Sequence, residues 1–177
     1  MLRGSRVIVI GGIKRSGSTW QYNLVRLILE ATGRSVGLNR GIRYLGKYEG
    51  DYDDLIVKTH FHSDRAEAAA DVVFTSYRPL DQVRASLERF GRKPPSSEEI
   101  EKLVHHFRLW DRIADYRMEY ADLLSDPLKV TMETMEVLHA GSLDPVQVLA
   151  EVNSLKPPSD EHQDPLTLYF SNHVTSE

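Results

Sequence analysis

Lys14-Arg15-Ser16-Gly17-Ser18-Thr19 places two cations, three hydroxyls and a glycine in one short run. Such a run can hold an anion: Lys14 and Arg15 bring charge, Ser16, Ser18 and Thr19 bring donors, and Gly12 and Gly17 let the backbone curl without a Cβ in the way. Further along, Lys58-Thr59-His60 joins a cation to a side chain that can accept a proton near neutral pH. Arg78 and Ser86, each able to donate a hydrogen bond, lie eight residues apart. Anion binding at the first run is the chemistry these types and spacings allow.

The elements that must position them follow from pattern. Val7-Ile8-Val9-Ile10, bounded by Gly11-Gly12, reads as a buried strand. Leu24, Leu27, Ile28 and Ala31 recur at helical spacing, and Thr32-Gly33 ends that helix. Strand, basic glycine loop and helix in that order aim loop N–H groups and a helix N-terminus at one spot. Gly12 to Thr19 matches G-x-x-x-x-G-x-T, but Ser18 stands where a Walker A loop has its lysine. That lysine reaches the β- and γ-phosphates of a triphosphate. Charge moved upstream, to Lys14 and Arg15, suits a shorter anion lying deep in the loop.

Asp54 to His60 reads as a second core strand, with Lys58-Thr59-His60 at its carboxyl end, the edge where open α/β sheets carry ligands. Asp71 to Arg78 is a third strand; Pro79 opens a helix striped by Leu80, Val83, Leu87 and Phe90. Arg78 projects from a strand tip and Ser86 sits two turns along the helix. Ser35 to Asp53, with Asn39, Arg40, Arg43, Tyr44, Lys47 and Tyr48, has no clean period and reads as a surface loop; Ser63 to Ala70 reads as a short helix. Gly91 to Ser97 is a link or lid. Ser96 and Glu99 form a capping box for a helix running toward Tyr116, buried through Ile100, Leu103, Val104, Phe107, Trp110 and Ile113. Adjacent His105 and His106 cannot share a helix face, so no metal site is expected there. Asp126-Pro127 starts a helix packed through Leu128, Met132, Met135 and Leu138, and Asp144-Pro145 starts another. The alternation predicts a three-layer α/β domain with a largely parallel sheet flanked by helices, one domain over residues 1–177, with 156–177 an irregular tail.

Arg15-Ser16-Gly17-Ser18-Thr19-Trp20 resembles the 5′-phosphosulfate loop of the sulfotransferases that use 3′-phosphoadenosine 5′-phosphosulfate (PAPS), commonly K-S-G-T-T-W or R-S-G-S-T. Lys58-Thr59-His60 resembles that family's K-T-H segment, Arg78 with Ser86 its 3′-phosphate motif, Tyr116 to Leu124 its R-Y-E-D-L segment, and Asn172-His173-Val174-Thr175 its N-H-x-T tail. The resemblance implies a P-loop sulfotransferase fold with PAPS as cofactor and no metal. It implies that His60 takes the acceptor proton, with His62 the competing assignment. Lys58, Arg15 and Lys14 would stabilise the leaving 5′-phosphate, the loop from Lys14 to Thr19 would bind it, Arg78 and Ser86 would grip the 3′-phosphate, and Trp20 would face adenine. A histidine base implies a rate that rises with pH through its titration. No lysine or arginine follows Lys156, so the family's basic C-terminal loop has no counterpart, which lowers the expected cofactor affinity. The resemblance implies a small-molecule or carbohydrate acceptor, whose identity the sequence does not give. A P-loop nucleotide or small-molecule kinase and a non-catalytic nucleotide-binding module are the alternatives.

Composition narrows the class. At 41% apolar and 27% charged the chain is globular. A net charge of −4 argues against a nucleic-acid or membrane-surface binder. There is no cysteine, hence no disulfide framework or thiolate metal site. No membrane span or signal peptide is evident, and a cytoplasmic location is expected.

Overall fold

A computed structural model describes residues 5–39, 51–89, 95–155 and 166–168. Five strands form one all-parallel sheet: β1 (Arg6–Gly12), β2 (Val36–Asn39), β3 (Asp54–Thr59), β4 (Val72–Tyr77) and β5 (Tyr116–Glu119), in the order β2-β3-β1-β4-β5. The central strand pairs on both sides, with Val9 opposite both Val57 and Val73. Successive side chains point to opposite faces, so both faces of β1 must be covered. On one face Ile8, Ile10, Ile56 and Phe74 pack with Leu24, Val25 and Ile28 of α1 (Ser18–Ala31), Met135 of α6 (Pro127–Val137) and Val148 and Val152 of α7 (Pro145–Ser154). On the other, Val7, Val9, Leu55, Val57 and Val73 meet Ala66 of α2 (Asp64–Glu67) and Trp110 of α4 (Ser97–Asp111). The expected three layers are present. Among the described residues no helix is long and apolar enough to cross a membrane.

A third cluster positions the site. Ile13, just past β1, packs with Val83 and Leu87 of α3 (Leu80–Arg89) and with Phe107. α3 is thereby held beside the loop that follows β1. From β1 the chain passes to β2 and β3 on one side, whereas β4 leads to β5 on the other. The connections leaving β1 and β4 diverge, and a crevice opens at their carboxyl ends.

The caps read from sequence hold: Ser96 and Glu99 form the reciprocal box, and Asp126 and Asp144 each accept a backbone N–H of the helix they start. Three readings need correction. Ser35 to Asp53 is not all loop, because Val36–Asn39 is the edge strand β2, paired with β3. α4 ends at Asp111, since Asp115 has turned to pair with Val73 through backbone and carboxylate. Met132 is exposed; α6 buries Val130, Thr131, Thr134 and Met135, and both threonine hydroxyls donate back to carbonyls one turn earlier. The charged and tyrosine-rich stretch 40–50, the link at 90–94 and the tail motif Asn172-His173-Val174-Thr175 lie outside the described residues.

Candidate phosphate site and base

Gly17 begins α1 in a left-handed conformation, φ 86°, and no side chain caps the helix there. The first-turn N–H groups of α1 therefore lack the usual capping acceptor, and no acidic residue occupies that turn. Charge and dipole both favour an anion at this point. Arg15, although not glycine, also has a positive φ of 67°. That conformation is sparsely populated and must be held by its surroundings.

Its surroundings are visible. The Arg15 Nε–H donates to Ser86 Oγ at 3.1 Å, and an Arg78 N–H donates to Arg15 O at 3.2 Å. The loop is also tied to β4: Ile13 N–H donates to Ser76 O, and Ser16 Oγ lies 2.7 Å from Ser76 Oγ. Ser16 donates its hydroxyl to Ile13 O at 2.5 Å and is fully buried, so it braces the loop from inside. Gly12 has a reason other than anion clearance, because a Cβ there would lie 2.3 Å from Ser76 Oγ. Ser18 is buried as the first residue of α1, Thr19 is half-buried behind it, and Lys14 is exposed.

The structure brings Arg78, Ser86 and Arg15 together. Arg78 is 9% exposed, and its Nε has no hydrogen-bond partner. Across the crevice, His60 Nδ1 lies 2.7 Å from Gly12 O. A carbonyl can only accept, so the neutral ring carries its proton on Nδ1 and leaves the Nε2 lone pair free. Burial, and then the nearby Lys58 charge, push the His60 imidazole down to about 3 despite that bond. Burial alone pushes the Lys58 ammonium down to about 8. His60 is thus already neutral at pH 7, and the expected rise of rate through a titration near neutrality is corrected accordingly.

His62 is spoken for elsewhere. Its Nε2 lies 2.5 Å from Glu67 Oε2, its ring tilts against Trp110, and its backbone N–H donates to His106 Nδ1. Trp20 packs on the core and donates its indole N–H to Asn153 of α7 at 3.2 Å, which places it on the α7 side of the loop. Two residues with a part in the site escaped the sequence reading. Ser76 anchors the loop, and Tyr120, the first residue of α5 (Tyr120–Ser125), lies under the Arg78 guanidinium. Only the second carried a signal, because it belongs to the segment Tyr116 to Leu124.

No family model matches the chain, and no curated protein matches it in sequence. Solved structures resemble it in fold. The sulfotransferase STF1 from Mycobacterium tuberculosis H37Rv superimposes with a TM-score of 0.55 at 14% identity, over 84% of this chain and 72% of that one. A possible uridine kinase from Bacillus stearothermophilus gives 0.45 at 14% identity, over 66% and 89%. The likeness to the former defines a P-loop-type α/β fold.

Proposed function

We propose that this chain is a PAPS-dependent sulfotransferase acting on a hydroxyl or amine of a small-molecule or carbohydrate acceptor. One observation carries the reading: beside the uncapped start of α1 lies a second cationic position, Arg78 with Ser86, joined to the first through Arg15. A nucleotide with phosphates on both 5′ and 3′ oxygens needs two such positions. A triphosphate strung along one loop needs the lysine that Ser18 replaces.

In this reading the acceptor oxygen or nitrogen attacks sulfur in line, and its proton passes to His60 Nε2. The bond from sulfur to the 5′-phosphate oxygen breaks, and adenosine 3′,5′-bisphosphate leaves. Lys58, Arg15, Lys14 and the N–H groups of the loop hold the charge that grows on the departing oxygen, and Thr19 adds a hydroxyl. Calorimetry tests the binding half. Adenosine 3′,5′-bisphosphate should bind more tightly than 5′-AMP, and ATP more weakly than either. Tighter binding of ATP, with magnesium-dependent turnover, would instead support a kinase.

A further inference from the structure

Tyr120 has no part in the proposed chemistry, yet it touches the residue on which nucleotide discrimination rests. The Arg78 guanidinium carbon lies 3.9 Å from the centre of the Tyr120 ring. Arg78 gives one N–H to Arg15 O, and its buried Nε has no hydrogen-bond partner. Among the described residues it forms no ion pair. The start of α5 is pressed against the same loop: a Cβ on Gly17 would sit 3.0 Å from Leu123 Cδ2 and 3.3 Å from Tyr120 Cδ2.

A nearly buried guanidinium needs electrostatic compensation. A carboxylate would supply it, but it would also occupy the in-plane N–H groups and repel an incoming phosphate. An aromatic face supplies it from below the plane and leaves those donors and the positive charge available. The geometry points to Tyr120 as a positioning residue: its ring holds the Arg78 guanidinium beside the loop, with no carboxylate on it among the described residues, for the second phosphate of the nucleotide. This rests on the assignment of Arg78 to the 3′-phosphate made above.

The test reads a ratio, the affinity for adenosine 3′,5′-bisphosphate over that for 5′-AMP, by calorimetry on the full chain. A wild-type ratio near one would remove the two-phosphate reading, and this inference with it. Given a wild-type preference, Tyr120→Phe keeps the ring and should keep the ratio. Tyr120→Leu should lower it about tenfold, the loss of a desolvated cation–π contact. Replacing Tyr120 with pentafluorophenylalanine keeps the ring shape, reverses the charge of its face and should lower the ratio likewise, even where the leucine variant folds poorly. An unchanged ratio in the fluorinated variant would overturn the proposal. So would an equal fall of both affinities, which is what mere packing against Gly17 predicts, or a loss already complete in Tyr120→Phe.

Discussion

At the amino end of the sheet, cations and backbone donors meet carboxylates. Asp54 is fully buried and accepts from Arg6 and from Arg34, while Asp71 and Asp115 accept the backbone N–H groups of Val7 and Val73 at 2.7 Å. At the carboxyl end, Arg78 meets a carbonyl and a ring, Arg15 meets a hydroxyl, and His60 meets a carbonyl. Opposite charge neutralises one end. At the other, among the described residues, the contacts of Arg78 and His60 are to neutral groups, and burial depresses Lys58 and His60. Strands that build a core ask only for the first arrangement. The second makes sense where the missing negative charge arrives with a ligand.

If the carboxyl end is the reactive one, breaking it should abolish chemistry and spare the fold. His60→Ala should lower sulfuryl transfer by roughly 10²–10⁴-fold, the usual worth of a positioned base, with nucleotide affinity nearly unchanged. Turnover by a panel of phenols, sugars and amines, followed with labelled PAPS, measures this. Near-normal transfer by His60→Ala, with His62→Ala inactive, would exchange the two histidines.

Breaking the amino end should do the reverse. Asp54→Ala strands two arginines that remain partly hydrated, 26% and 40% exposed along their side chains. The expected loss is roughly 2–3 kcal/mol of unfolding free energy, below that of a fully buried pair. Affinity for adenosine 3′,5′-bisphosphate should hold, because β3 separates Asp54 from the site by nearly its whole length. Urea denaturation and calorimetry on the same sample decide it. A loss of affinity without a loss of stability would contradict the division of roles.

The sharpest contrast is a substitution at the reactive end that stabilises. Lys58 drops from its ordinary 10.5 to about 8, so below pH 8 the folded chain carries a proton it disfavours. Lys58→Met keeps the stem and removes the charge. It should gain about 1–2 kcal/mol at pH 7, a discounted figure because the side chain is only partly buried. The gain should shrink between pH 8 and about 10.4, where the unfolded lysine still holds its proton and the folded one has lost it. A methionine variant less stable than wild type at pH 7 would show that Lys58 has a compensating partner.

How far the sequence could be read follows the same division. β1, β3 and β4 are apolar runs buried on both faces, and their local pattern alone identifies them. β2 could not be found that way. Val36-Gly37-Leu38-Asn39 is a strand only because β3 pairs with it. α6 misled for a similar reason: its buried threonines satisfy their hydroxyls within the helix, so apolarity pointed at Met132, which faces water. For the candidate site, motif resemblance put forward Arg15, His60, Arg78 and Ser86. The left-handed Arg15, the Ser76 brace behind Gly12 and the contact of Tyr120 with Arg78 were not legible, because each arises from residues that meet only in the folded chain.

Near neutrality the smallest expected effect is one of pH, about twofold between pH 7 and 8, and its sign separates the two titrating groups. His60 reaches about 3 in the folded chain, so its Nε2 is free to accept a proton at every pH from 5 upward. No ascending limb should then appear near neutrality. Lys58 must be protonated to hold charge on the leaving oxygen, and its ammonium falls to about 8. Transfer should therefore decline as pH rises through that value. The quantity to follow is kcat/KM for the nucleotide, which reports the free protein before a bound anion raises either group. Between pH 7 and 8 the loss should be about twofold, approaching tenfold per unit above pH 9. Lys58→Arg stays charged throughout this range and should flatten the profile, whatever its absolute rate. An ascending limb centred near pH 6.5 would mean that His60 is far better hydrated than its bond to Gly12 and its place beside Lys58 imply. A descending limb that persists in Lys58→Arg would assign the second titration to another group.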